Sequence, residues 1–215
     1  MNTLIISGGN ISSDFALDFM KKQKIDFIIA VDRGMLFTWI HKIVPDLIVG
    51  DFDSVPREII DRYRQENRVP IREYNPVKDA TDTQIALEKA VEAGSRRIWI
   101  LGGTGTRLDH VLGNLYAMQT ALKSGVEVCM VDEHNCIFLL DTPRVLKRNE
   151  QYGKYVSFLP LGDRVSGVCL KGFKYPLENA LLTNDNSLGV SNEIAEEEAQ
   201  VSFDKGILIM IQSRD

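Results

Sequence analysis

The sequence has 215 residues, 44% hydrophobic and 26% charged, with 16 Gly and 7 Pro; this is ordinary globular usage and excludes collagen-like, disordered and membrane-embedded classes. Its 25 Lys and Arg against 30 Asp and Glu leave a net charge of −5, so no basic field attracts nucleic acid or an anionic membrane surface. An acidic chain can still take a phosphate-bearing ligand through a divalent cation, provided that its carboxylates are gathered rather than scattered.

Thr3–Ser7, Phe27–Val31, Leu47–Val49, Arg97–Leu101, Val126–Val131 and Cys136–Leu140 are short apolar runs rich in β-branched residues, as expected of strands covered on both faces. Between them the spacing predicts helices. Thr81–Ala93 is followed by Gly94; His110–Ser124, with Val111, Leu115, Met118 and Leu122 at near-helical spacing, is followed by Gly125, and a glycine there is a common helix stop. The alternation argues for an α/β, Rossmann-like domain with a largely parallel sheet and flanking helices. From about Asp141 the pattern changes. Lys154–Leu159, Val165–Leu170, Gln200–Asp204 and Ile207–Gln212 read as strands, with turn signals between them and no convincing helix. An α/β domain over 1–141 and a smaller all-β domain over 142–215 are expected, the second packing on the first or on another subunit because so small a unit buries little surface by itself.

Cys129, Cys136 and Cys169 form no CxxC pair and no ligand set with the three histidines, which lends no support to zinc or a disulfide framework and fits a reducing compartment. The opening apolar run is short and carries no basic leader, and no stretch approaches a membrane span; the cytoplasm is the expected location.

In parallel sheets, ligands collect at the carboxyl ends of the strands. Val31 is followed by Asp32-Arg33-Gly34, and Val49 by Gly50-Asp51-Phe52-Asp53-Ser54. Two carboxylates at i and i+2 of an extended chain point the same way, about 6–7 Å apart, which suits hard cations; the plainer reading is an Asx turn that caps a helix starting near Pro56. Within Lys78-Asp79-Ala80-Thr81-Asp82, Thr81-x-x-Gln84 reads as a capping box with Asp82 in the first helical turn. The same segment could offer Lys78 to a phosphate and Asp79 or Asp82 to a metal. The stretch from Leu101 to His110 runs from strand to helix through Gly102, Gly103 and Gly105; glycines let backbone N–H groups approach an anion, and Arg107 can fork onto phosphate oxygens. It is neither a Walker A motif nor a dinucleotide GxGxxG. His110 and Asn114 share a helix face, and with no partner histidine at ligand spacing, His110 suits a hydrogen bond or cap better than a metal. Asp109 stands nearest the glycine turn. Carboxylates for a cation, with glycine N–H groups and Arg for phosphates, are the components of phosphoryl-type transfer.

These segments, with Pro45-Asp46-Leu47-Ile48-Val49 leading into Gly50 and Gly189-Val190-Ser191-Asn192-Glu193 late in the chain, resemble the thiamine pyrophosphokinase family in kind, order and extent. The resemblance implies transfer of the pyrophosphoryl group of ATP to the hydroxyethyl oxygen of thiamine, giving thiamine diphosphate and AMP, with Mg²⁺ as cofactor. It also implies an α/β domain followed by a β-sandwich, and a homodimer with active sites between subunits. By the same resemblance Asp51, Asp53 and Asp82 hold Mg²⁺, with Asp32 and Asp109 nearby. Lys78, Thr81 and Arg107 contact nucleotide or phosphate, together with Asp32, Arg33, Gly102, Gly103 and His110. Ser191 and Asn192 contact the thiamine aminopyrimidine, a ring needing donors and acceptors; an ordinary hairpin is the alternative there. Where the family stacks an aromatic on thiamine shortly after this pair, Glu193-Ile194-Ala195 stands instead. The expected mechanism is in-line attack of the thiamine hydroxyl on the β-phosphorus, driven by positioning and charge stabilisation, with Asp82 or Asp109 taking the proton. Rival readings are a pyrophosphokinase acting on hydroxymethyl-dihydropterin, a Mg²⁺-dependent phosphohydrolase, and a non-catalytic thiamine or nucleotide sensor; the full carboxylate set and Arg107 argue against the sensor.

Overall fold

The structure, a computed structural model, describes residues 1–75, 80–105 and 107–215. It divides into two compact units, Met1–Glu133 and His134–Asp215.

The first unit alternates strands and helices: β1 (Asn2–Ile6), α1 (Ser13–Lys22), β2 (Phe27–Val31), α2 (Gly34–Ile40), β3 (Leu47–Gly50), α3 (Arg57–Glu66), β4 (Ile71–Glu73), α4 (Asp82–Glu92), β5 (Arg97–Leu101), α5 (Leu108–Lys123) and β6 (Glu127–Val131). The strands lie in the order β6-β5-β1-β2-β3-β4, and each neighbouring pair is parallel. Consecutive residues such as Leu4, Ile5 and Ile6, or Ile98, Trp99, Ile100 and Leu101, are all buried. That continuous burial is why these strands show no alternation in the sequence: helices cover both faces. Phe19 of α1 meets Trp99 of β5 edge to face at 5.9 Å, while α4 packs against β1, β2 and β3 and alongside α5.

From β1 the chain steps outward through β2, β3 and β4, then returns by α4 to β5 on the other side of β1. The connections leave β1 and β5 in opposite directions, and such a switch point opens a crevice at the carboxyl ends of the two strands. Its walls are tied by Ser7 N–H donating to Leu101 O at 2.8 Å and Gly9 N–H to Gly102 O at 3.0 Å.

The second unit is β-rich. Its strands are β7 (Asn135–Leu140), β8 (Arg144–Lys147), β9 (Tyr155–Pro160), β10 (Arg164–Lys171), β11 (Leu177–Thr183), β12 (Asn192–Glu193), β13 (Glu198–Ser202) and β14 (Leu208–Ser213), with one short 3₁₀ turn at Arg148–Glu150. They run in the orders β12-β9-β14-β7 and β11-β10-β13-β8, and the pairs are antiparallel. Val156 and Phe158 of β9, Leu208 and Met210 of β14, Val165, Val168 and Leu170 of β10 and Val201 of β13 share one core, around an edge-to-face contact of Phe158 with Phe173 at 5.5 Å. Alternation along β13, with Ala199 and Val201 buried and Glu198 and Gln200 exposed, is the expected signature of a half-covered antiparallel strand.

Two expectations are refined here. Cys136–Leu140, read with the preceding strands, ladders antiparallel with β14. The short strands β4 and β8 and the mostly exposed β11 carry too little apolar patterning to stand out; β4, for example, is Ile-Arg-Glu with two exposed residues. Among the described residues, no helix is long and apolar enough to cross a membrane.

Candidate active site

The loops after β2 and β3 and the first turn of α4 carry the acidic residues. Asp32 leaves β2 with φ +44°, a left-handed conformation that Asp tolerates better than most residues, and its N–H donates to Val49 O at 3.1 Å. Gly34 is required two residues on, because a Cβ there would stand 1.9 Å from Ile6 O. Gly50 is required for a related reason: its Cβ would stand 2.1 Å from Asp32 Oδ1. The glycine that ends β3 thus makes room for the carboxylate that follows β2.

Asp51 and Asp53 do not lie on extended chain. Phe52 between them is buried with φ +61°, and Asp53 N–H donates back to Asp51 Oδ1 at 3.2 Å. The i, i+2 strand geometry expected for the pair is therefore corrected to a tight Asx-type turn, in which the buried Phe52 ring fixes the reversal. Asp53 is exposed. The negative charge of Asp51 beside it and a hydrogen bond with that side chain, with a smaller contribution from Asp82, push the Asp53 carboxyl above its ordinary range.

The residues that converge are Asp32, Asp51 and Asp82. One carboxylate oxygen from each lies within 4.8 Å of the others, and all three residues are half-buried. Negative charges this close repel one another, and a cation among them would offset the repulsion. An oxygen-only donor set matches a hard divalent ion such as Mg²⁺. Asp82 reaches the group from the start of α4, where Thr81 Oγ1 accepts from Gln84 N–H at 3.2 Å. Only that half of the expected capping box forms: the Gln84 amide turns to Glu88, at 3.2 Å. Lys78 and Asp79 lie outside the described residues.

At the switch between β1 and β5, Gly102 has φ +67°, and a Cβ there would stand 2.6 Å from Ser7 O; a Cβ at Gly9 would stand 2.3 Å from Gly102 O. Two glycine-containing turns therefore approach backbone to backbone, leaving peptide groups rather than side chains at the switch point, the arrangement that suits a phosphate. Buried Asn114 on α5 donates from Nδ2 to Gly103 O at 2.9 Å and holds the second turn. Arg107, at the N-cap of α5, forks onto Asp109 through Nε at 3.2 Å and Nη2 at 2.6 Å. This pairing, together with the His110 N–H that Asp109 also accepts, holds the Asp109 carboxyl down at about 2. Arg33, Arg107, Asp109 and His110 are all exposed.

In the second unit, Ser191 is exposed with φ +59°, and its N–H donates to Ser157 Oγ at 3.0 Å. Asn192 is buried. Its Oδ1 accepts from the N–H groups of Tyr175 at 3.0 Å and Glu193 at 2.9 Å, and its Nδ2 donates to Tyr175 O at 2.7 Å. An exposed aromatic, Tyr175, is thereby tied to the Ser191-Asn192 pair.

Ser7-Gly8-Gly9, Thr83 and Tyr175 belong to this picture and escape sequence reasoning. The first was detectable, since Ser-Gly-Gly directly follows the apolar run Leu4-Ile5-Ile6. The other two act through contacts to distant segments and leave no local pattern.

The family model "Thiamin pyrophosphokinase, catalytic domain" matches residues 20–130, and "Thiamin pyrophosphokinase, vitamin B1 binding domain" matches residues 144–208. The thiamine pyrophosphokinase of Bacillus subtilis (strain 168) is 36% identical over 188 residues, 87% of each chain. The crystal structure of thiamine pyrophosphokinase from Bacillus subtilis aligns with TM-score 0.88 at 31% identity, covering 100% of both chains. That from Geobacillus thermodenitrificans aligns with TM-score 0.86 at 31% identity, covering 100% of this chain and 98% of the other.

Proposed function

The chain belongs to the thiamin pyrophosphokinase family, and from that premise we propose how its own residues transfer the pyrophosphoryl group of ATP to the hydroxyl of thiamine, releasing AMP and thiamine diphosphate. The observation that carries the assignment is the convergence of the Asp32, Asp51 and Asp82 carboxylates within 4.8 Å, at strand and helix ends beside a turn made of glycines. Asp32, Asp51 and Asp82 hold Mg²⁺, and Asp53, beside Asp51, extends the acidic set toward solvent. When bound, the cation neutralises phosphate charge and makes the phosphorus more electrophilic.

The remaining work falls to the chain. The peptide groups of the Gly102–Gly105 turn and the guanidinium of Arg107 bind phosphate oxygens, the Arg exchanging part of its fork on Asp109 for the nucleotide. Thr81, Arg33 and His110 line the nucleotide side, and Lys78 is assigned to nucleotide or phosphate by the family resemblance alone. The proton of the thiamine hydroxyl goes to Asp82 or Asp109. Ser191 offers its hydroxyl to the aminopyrimidine, while Asn192 keeps the loop in shape and has one N–H left to give. The Rossmann-like catalytic domain expected over 1–141 is taken as the unit Met1–Glu133, and the sandwich-like thiamine-binding domain expected over 142–215 as the unit His134–Asp215, which includes β7. The working unit is a cytoplasmic homodimer with active sites at the subunit interface.

Incubation with ATP, Mg²⁺ and thiamine, followed by nucleotide separation, tests the reaction. AMP appearing together with thiamine diphosphate is the expected result. AMP only with the pterin alcohol would move the assignment to the pterin pyrophosphokinase; phosphate or ADP would indicate a hydrolase or another transferase, and no turnover a sensor.

A further inference from the structure

We propose that the buried hydroxyl pair Ser7–Thr83 is a positioning device for the carboxylate cluster, fixing the first turn of α4, and with it Asp82, against the carboxyl end of β1. The inference rests on the reading of Asp32, Asp51 and Asp82 as the divalent-cation seat. Ser7 Oγ and Thr83 Oγ1 are 2.7 Å apart, and both residues are buried, at 5% and 6% exposure. Ser7 is itself held by the sheet, through its N–H on Leu101 O at 2.8 Å, so it offers a fixed point at the switch of the strand order.

The first turn of α4 has a particular need for such a point. Thr81 caps the helix but bonds within it, to Gln84 N–H, and so sets no position relative to the sheet. The apolar anchors Ile85, Ala86, Leu87 and Ala90 begin further along, and Thr83 is the first residue of α4 to be buried. Apolar contacts tolerate small rotations of a helix, whereas a hydrogen bond is directional. Asp82 is the immediate neighbour of Thr83, so a rotation that lengthened the hydroxyl contact would carry the Asp82 carboxylate away from Asp32 and Asp51. Groups that orient metal ligands from behind change metal affinity or activity by about 10–100-fold when removed.

The test is Mn²⁺ binding to the nucleotide-free protein, followed by electron paramagnetic resonance, in wild type, Thr83→Val, Thr83→Ser and Ser7→Ala. Thr83→Val keeps shape and loses the hydroxyl; it is expected to weaken Mn²⁺ binding about tenfold and to raise the KM for Mg²⁺-ATP more than it lowers kcat. Thr83→Ser restores the hydroxyl and should bind as wild type. Ser7→Ala, the smaller change should Thr83→Val fold poorly, is expected to match it, and the double variant to lose no more than either single one. Wild-type Mn²⁺ affinity in folded Thr83→Val or Ser7→Ala, with only the melting temperature lowered, overturns the positioning role and leaves the metal seat standing. Absence of Mn²⁺ binding in the wild type overturns the metal seat and the positioning role together.

Discussion

The two units use polar side chains in opposite ways. In Met1–Glu133 the Asp32, Asp51 and Asp82 carboxylates crowd within 4.8 Å, a collection of like charges whose mutual repulsion a cation would offset. In His134–Asp215 the Asn192 amide is nearly consumed by the chain itself, three of its hydrogen bonds going to the backbone of Tyr175 and Glu193. Polar groups left mutually repelling mark where a ligand supplies what the fold withholds; polar groups fully engaged mark architecture.

That contrast breaks most sharply at the acids. Asp82→Asn is expected to lower kcat about a thousandfold, the scale of losing a preorganised charge at a transferring group, while the melting temperature stays level or rises because repulsion is relieved. A large loss of both activity and stability would place Asp82 on the architectural side. Asp53→Asn, at the solvent side of the Asx turn, should cost about tenfold, less than Asp51→Asn, on the scale of a group acting from behind the ligands; steady-state assays at saturating Mg²⁺ rank the two.

Gly50→Ala sharpens the comparison without touching a charge. The added methyl, 2.1 Å from Asp32 Oδ1, must displace that carboxylate, and an activity loss of about 10–100-fold is expected, read as a higher Mg²⁺ requirement. Asn192→Leu does the reverse. It strands the N–H and C=O of Tyr175, costing about 2 kcal/mol, or a fall of about 4–8 °C in melting temperature for a chain of this size. Thiamine KM should rise by more than kcat falls.

The smallest effect concerns Arg107 and Asp109. The Asp109 carboxyl is depressed to about 2 by Arg107, against about 3.9 in an unfolded chain, so the pair's contribution is present above the unfolded value and is lost as pH falls from there through about 2. Both groups are exposed, so little stability is at stake. Arg107→Gln should return the Asp109 carboxyl to the ordinary range in an NMR titration, and a titration that does not move would show that Arg107 is not its partner.

Much of this arrangement is legible in the sequence, for physical reasons. Burial on both faces writes β1, β2, β3, β5 and β6 as plain apolar runs, and helix stops such as Gly94 and Gly125 mark α4 and α5. Polar residues directly after those runs point to Asp32, Asp51 and the Gly102–Gly105 turn. What stays hidden is pairing and direction. Nothing local distinguishes β7, antiparallel to β14, from a parallel neighbour. The extended geometry expected of Asp51-Phe52-Asp53 yields to the left-handed Phe52, whose ring goes into the core beside Met35 and Val55, a fact settled by packing and not by the motif. Gly50 gives way to a carboxylate eighteen residues earlier, and Ser7 meets Thr83 across 76 positions.

The central claim is that Asp32, Asp51 and Asp82 form the divalent-cation seat of this transferase. Anomalous scattering from crystals grown with Mn²⁺ and a non-hydrolysable ATP analogue addresses it most directly. The account predicts a manganese peak in contact with carboxylate oxygens of all three residues, and its loss in Asp51→Asn. A peak held instead by Asp53 or Asp109 without Asp32, or one that persists unchanged in Asp51→Asn, would contradict it.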